Sequence, residues 1–584
     1  MFKKTKIICT VGPSTDKPGV LEEMLNAGMN VARFNFSHGN YPDHAKRIAM
    51  VRAAAQRVGK PVAFLLDTKG PEMRIGKFIE GKVLLQEGQK FILTPREVAG
   101  TNEIVSVNHK LLPNEVAPGN IILLSDGLIS LRVERIESDD IVTTVLNSGA
   151  MSNLKRVAVP GVSINLPFLS QQDINDILFG IDQDMDFIAA SFVQRAADVL
   201  SIRRVLEDAG ASMDIIAKIE NAEGVKNIDE LLKVVDGVMV ARGDLGVEIP
   251  TEEVPIVQKM LIDKCNYAAK PVITATQMLE SMMENPRPTR AEASDIANAI
   301  MDGTDVIMLS GETASGNYPV EAVKVMSKIA VRTEEALNYE TILRTNGIVL
   351  QRTTTDAISH ATVQITHELG AAAVITATES GYTPRMVSRY RPKAVIIAVT
   401  PNDKTYRRML MLWGVQPILG DKFNSSDDMV TSAVDSALKA GAVHDGDLVV
   451  ITAGVPAGQS GTTNMIRVHV VGNILLKGTG IGRKVVTGKV CIAHTLADFT
   501  DKFTPGDILV VPSIDEETAK YAVKATAIVA EAGGLTSHAA IVGISYGIPV
   551  IVGVKAATEK LSDNMIVTVD LENGIVYQGE INAR

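Results

Sequence analysis

At 584 residues the chain is long enough for three or four domains, each with its own core. Hydrophobic residues at 46% and charged ones at 22% make an ordinary globular balance, and a net charge of −10 is the wrong sign for a nucleic-acid binder. Cys9, Cys265 and Cys491 are too few and too scattered for a disulfide frame or a zinc site, and no apolar run reaches the about 20 residues of a membrane span. The apolar run in "MFKKTKIICTVG" is too short for a signal peptide, so the expectation is a cytoplasmic protein without nucleic-acid or membrane partners.

Eight strand-like runs occupy much of the first 340 residues: "TKIICTVG", "VARFNFS", "VAFLLDT", "DFIAASFV", "DIIAKIE", "GVMVARG", "PVITATQ" and "DVIMLSG". Most are separated by segments with apolar residues at helical spacing, such as "VLEEMLNAG" and "VLSIRRVLEDAG". Eight βα units over this length fit an α/β fold of the (β/α)8 TIM-barrel type, with a doubly wound open sheet as the structural alternative. The catalytic barrel is expected over 1–69 and 170–340. Roughly a hundred residues of different texture follow "LLDTKGPE", far more than a βα loop needs. Their Gly-punctuated β runs, "KVLLQEGQKFILT" and "GNIILLSDGLISLRVERI" among them, predict an inserted β-barrel lid domain over 70–169. A second alternating pattern predicts an α/β domain over 341–474, and a Val-, Ile- and Gly-rich unit fills 475–584.

Polar residues recur at the C-terminal strand ends, where barrels of this type carry catalytic groups. The second run ends in Arg33, Asn35 and Ser37, which alternation places on one face. The third ends in Asp67 and Thr68, the fifth in Lys218 and Glu220, and the sixth in Arg242, Gly243 and Asp244. The seventh holds Thr274 and Thr276. Lys218 and Glu220 also share a face, which a plain ion pair would explain, although buried pairs stabilise little. Glu220 and Asp244 supply hard carboxylate oxygens with no His or Cys nearby in sequence, a donor set for Mg²⁺ or Mn²⁺. Lys218 and Arg33 beside them suit a phosphoryl group. Asn35, Ser37, Asp67 and Thr68 offer four oxygen-bearing side chains with one net charge, which suits a monovalent cation.

The segments "NVARFNFSHG", "LLDTKGPEMRIG", "IIAKIENAEGV", "VMVARGDLGVEIP", "VITATQMLESM" and "DVIMLSGETA" resemble the signatures of pyruvate kinases, a likeness covering about residues 1–473. The resemblance implies transfer of a phosphoryl group from phosphoenolpyruvate to ADP, giving pyruvate and ATP at the end of glycolysis. It implies Arg33 on the substrate phosphate, K⁺ held by Asn35, Ser37, Asp67 and Thr68, and Mg²⁺ or Mn²⁺ held by Glu220 and Asp244. Lys218 is implied to stabilise the moving phosphoryl, and the Gly243 and Asp244 backbones to receive the substrate carboxylate. Thr276 lies where the enolate is protonated, and Arg74 and Lys155 match nucleotide-side positions. "TATESGYTPRMVSRYRP" resembles the family's allosteric pocket for a phosphorylated effector, with Thr378, Ser380, Gly381 and Thr383 as its contacts and "SGTTNMI" (460–466) nearby. A homotetramer is implied as well.

The last unit, with "GGLTSHAAIVGISYGIPVIVG", resembles the phosphohistidine domain of enzymes that use phosphoenolpyruvate, His538 matching the histidine. With no nucleotide-grasp domain in the chain, a structural role for His538 is expected. Two rival readings stay open here: a metal-dependent lyase on the same barrel, and a non-catalytic regulator.

Overall fold

The computed structural model describes residues 2–162, 164–345, 353–422, 426–455, 461–472 and 474–580. They fall into two compact units, the first comprising residues up to 351 with 379–391 and 402–417, the second the rest. Among the described residues no helix is long and apolar enough to cross a membrane.

In the first unit eight parallel strands close into a barrel: β1 (Lys6–Thr10), β2 (Val31–Asn35), β3 (Ala63–Asp67), β4 (Phe187–Ala190), β5 (Asp214–Ile219), β6 (Gly237–Ala241), β7 (Val272–Ala275) and β8 (Val306–Leu309). They are ordered in sequence, and β8 pairs back to β1. Closure removes the open edge that a doubly wound sheet would leave. Alternation divides each strand between two cores. In β5, Ile215, Ala217 and Ile219 pack outward against the helices, whereas Ile216 joins Ile8, Val31, Ala63 and Leu65 inside. The same parity carries Lys218 in β5, Arg33 in β2 and Asp67 in β3 to the inward face, one step past the last interior apolar residue.

Between β3 and the helix Gln171–Asp182 lies the lid. Its seven-stranded sheet runs, edge to edge, Met73–Arg74, Arg156–Ala158, Ile121–Leu124, Ile129–Glu137, Asp140–Val145, Lys90–Thr94 and Ile104–Ser106. Phe91, Leu93, Leu131, Val133 and Ile141 form its separate core. The chain leaves the barrel through Gly70, whose φ of +70° is one that side chains rarely adopt. A Cβ there would also come within 2.8 Å of the Ser191 Cβ, so this close approach admits only glycine.

The segment expected as a separate domain from 341 divides between the two units, and the parts grouped with the barrel carry three arginines paired with its acids. Arg391 pairs with Asp305 at 2.7 Å, Arg407 with Asp186 at 2.8 Å and Arg408 with Asp214 at 3.1 Å. Each acid stands at or beside the N-terminal end of a barrel strand. Burial pushes the Asp186 carboxyl up to about 6, against the opposing pull of Arg407.

The second unit holds two sheets. One contains Val395–Thr400, Ala373–Ala377, Leu448–Gly454 and Thr463–Val470 in that order, the last antiparallel to its neighbour. The other has eight strands drawn from residues 474–578, with helix His538–Tyr546 between strands Ala527–Ala530 and Val550–Val552.

Candidate active site at the barrel mouth

The inward-facing strand ends converge on one buried carboxylate. Asp67, 1% exposed, accepts from Arg33 Nε at 2.7 Å through one oxygen and from Lys218 Nζ at 3.0 Å through the other. Arg33 also donates to Thr10 Oγ1 (2.8 Å), and Lys218 to Ser191 Oγ (2.7 Å), whose hydroxyl in turn bonds the Thr68 carbonyl. Burial alone would raise the Asp67 pKa, but Arg33 and Lys218 hold it below the usual carboxylate value. For Lys218 burial pulls the other way, and Asp67 and Glu220 more than offset it, so the ammonium keeps its proton.

Lys218 and Glu220 do form an ion pair, at 3.0 Å, and Glu220 also accepts the Phe192 N–H at 2.6 Å. Burial pushes the Glu220 carboxyl up to about 7, opposed by Lys218 and reinforced by Asp244. A carboxylate this reluctant to stay charged gains from a further cation beside it. Asp244, in the helix Arg242–Glu248, is 36% exposed and accepts a guanidinium N–H from Arg156 of the lid. Two carboxylates and no His or Cys fit a hard divalent cation whose remaining ligands are water and substrate oxygens. Among the described residues no group of three or more His, Cys, Asp or Glu is placed to hold a metal ion by itself.

Thr276 follows β7 with φ +66°, a strained conformation for a β-branched residue. Its hydroxyl accepts the Gly243 N–H at 2.8 Å and donates to the Ala275 carbonyl at 2.6 Å. Arg242 fixes the turn by bonding Asp295, the Ala275 carbonyl and the Thr276 carbonyl. Thr274, in contrast, is fully buried on Thr304 and takes no part in the mouth.

Asn35 is in register with Asp67 across β2 and β3. Ser37 departs from the expected alternation: β2 ends at Asn35, and Ser37 sits in an exposed turn, donating its N–H to Asn35 Oδ1 at 3.1 Å. Thr68 accepts the Ser191 N–H at 3.1 Å. On the lid, Arg74 is tied to Glu72 (2.6 Å) and the Leu154 carbonyl, and the half-buried Lys155 precedes the strand that carries Arg156. Beside these residues a cavity of about 400 Å³ is lined by Glu72, Arg156, Phe192, Asn221 and Glu248. Ser191 and Thr10 were open to the same strand-end reasoning that found Lys218 and Arg242. Arg156 and Glu248 carried no signal of spacing.

The predicted effector segment takes a different form from a hydroxyl-capped turn. Gly381, at φ +76°, is the N-cap of the helix Tyr382–Ser388 and supplies no side-chain cap. Ser380 is exposed, whereas Thr383 lies inside the helix and is buried, as is Thr378 after strand Ala373–Ala377. Ser460 of the companion motif lies outside the described residues. His538 is exposed and opens its helix behind Ser537, whose hydroxyl accepts the Ala540 N–H.

Residues 2–323 match the pyruvate kinase barrel domain, 356–469 the pyruvate kinase alpha/beta domain, and 503–574 the mobile domain of PEP-utilising enzymes. A pyruvate kinase of Geobacillus stearothermophilus is 55% identical over 582 residues, and one of Bacillus licheniformis 53% over 581, each covering 99% of both chains. A crystal structure of a pyruvate kinase from Cryptosporidium parvum superposes with a TM-score of 0.76 at 39% identity, covering 80% of this chain and 96% of that one.

Proposed function

The chain belongs to the pyruvate kinase family, a family of metal-dependent enzymes, and on that premise we propose that its barrel mouth moves the phosphoryl group of phosphoenolpyruvate to ADP in the cytoplasm. The observation that carries the reading is the convergence of Lys218, Arg33, Asp67 and Glu220 on one point. In the transfer the enol P–O bond breaks, a new P–O bond forms to the terminal ADP oxygen, and the enolate carbon takes up a proton. Arg33 binds the substrate phosphate, while the Lys218 ammonium meets the charge that shifts as the phosphoryl leaves. The Gly243 and Asp244 N–H groups receive the substrate carboxylate. A carboxylate that takes the Gly243 N–H frees the Thr276 hydroxyl, which then serves the protonation. Arg74 and Lys155 bind on the nucleotide side.

Mg²⁺ or Mn²⁺, held by Glu220 and Asp244, supplies positive charge to the transferring group. Asn35, Ser37, Asp67 and Thr68 hold K⁺, with Asp67 as the one charged ligand. The reading includes a homotetramer, for which light scattering should give four chain masses, and a structural His538. Stoichiometric phosphate on His538 after incubation with phosphoenolpyruvate would contradict the latter.

A phosphorylated metabolite is proposed to activate the enzyme through Thr378, Ser380, Gly381 and Thr383. The support is the family's alpha/beta domain and the glycine that opens the helix Tyr382–Ser388 within this segment. The double variant Ser380→Ala, Thr383→Ala should lose activation while its unactivated kcat stays within about twofold of the parent. An activation curve matching the parent's would place the effector elsewhere.

A further inference from the structure

Arg156 belongs to the lid strand Arg156–Ala158, yet its guanidinium is buried against the barrel mouth, 9% exposed. One Nη donates to Asp244 Oδ1, the other stands 3.8 Å from Glu248 Oε1, and the group lies 4.7 Å from the centre of the Phe192 ring. Glu220 and Glu72 add to the negative field around it. A lid side chain thus neutralises the carboxylates that the proposed function assigns to a divalent cation.

We propose that Arg156 is a positioning residue that competes with the divalent cation for Asp244 and withdraws to Glu248 when the cation binds, so that metal occupancy and lid attachment are coupled. The inference rests on the reading of Glu220 and Asp244 as metal ligands. An oxygen that accepts a charge-assisted hydrogen bond from a guanidinium is compromised as a ligand. Asp244, at 36% exposure, is open to solvent, whereas Arg156, at 9%, is buried. A buried guanidinium that loses its partner needs another anion at once. Glu248 is four residues on, along the same helix face, and 18% exposed. The Phe192 ring supports the guanidinium plane in either pairing. Linkage then requires that whatever weakens the Arg156–Asp244 contact tightens metal binding, and that metal binding loosens the lid strand.

The test titrates Mn²⁺ into the substrate-free, full-length protein, with affinity read by electron paramagnetic resonance and lid attachment by hydrogen exchange at residues 156–158. Arg156→Gln should bind Mn²⁺ tighter by about tenfold or more, the factor one charge-assisted hydrogen bond contributes. Arg156→Lys, which keeps the charge and loses the fork, should fall between. In the parent Mn²⁺ should speed exchange at 156–158, whereas in Arg156→Gln exchange should be fast already and indifferent to Mn²⁺. Unchanged or weaker affinity in Arg156→Gln overturns the competition, as does parent exchange that Mn²⁺ does not move. Should Arg156→Gln fail to fold, the parent's exchange response and Arg156→Lys carry the test. Glu220→Gln separates the two claims: Mn²⁺ binding that survives it overturns the metal assignment itself, whereas binding lost there and untouched by Arg156→Gln overturns only the role of Arg156.

Discussion

Lys218→Met is expected to lower kcat by about 10²–10³, the usual loss when one group aimed at developing transition-state charge is removed. Lys218 sits on the inward face of β5, fixed by Asp67 at 3.0 Å, Glu220 at 3.0 Å and Ser191 at 2.7 Å. Three partners hold one ammonium in place before any substrate arrives, so little reorganisation remains for the moment of transfer. Its charge matters most while phosphoryl charge is moving, so the loss should fall on kcat, with phosphoenolpyruvate affinity kept within about tenfold. Methionine preserves most of the volume and none of the charge. A variant with more than about a tenth of the parent kcat would contradict transition-state stabilisation by this lysine.

Asp67→Asn should cost the most stability, roughly 3–5 kcal/mol, because it leaves Arg33 and Lys218 buried without their shared anion. Calorimetry should show a Tm lower by roughly 2–6 °C at pH 7. The pH dependence has a defined sign. The folded-state pKa of Asp67 is held down, so its stabilisation is fully present above the unfolded value of about 3.9 and is lost as pH falls through the folded value. The gap between parent and variant should therefore close on acidification below about pH 4. Asp67 is also the one charged member of the proposed K⁺ set, so the variant should need more K⁺ for half-maximal rate. A variant with the parent's Tm and the parent's K⁺ requirement would contradict both roles.

Much of the mouth was legible because a strand alternates with a fixed period. Once Ile216 faces the barrel interior, Lys218 must follow it, and Arg33 and Asp67 obey the same rule after Val31 and Leu65. The rule fails where the strand stops: Ser37 turns away after Asn35, and Thr276 adopts a left-handed conformation that no period predicts. Arg156 was not legible at all. Its contact with Asp244 spans 88 residues and depends on how the inserted sheet meets the barrel, which no local pattern encodes. Arg391, Arg407 and Arg408 were missed for the same reason, since their partners are acids at the opposite ends of the barrel strands.

The most direct measurement is pyruvate formation from phosphoenolpyruvate by the full-length protein, followed with and without ADP in the presence of Mg²⁺ and K⁺. The account predicts pyruvate and ATP appearing in equal amounts, with no turnover above background when ADP is withheld. Pyruvate released at the same rate without ADP would contradict phosphoryl transfer and leave the barrel mouth to a different reaction.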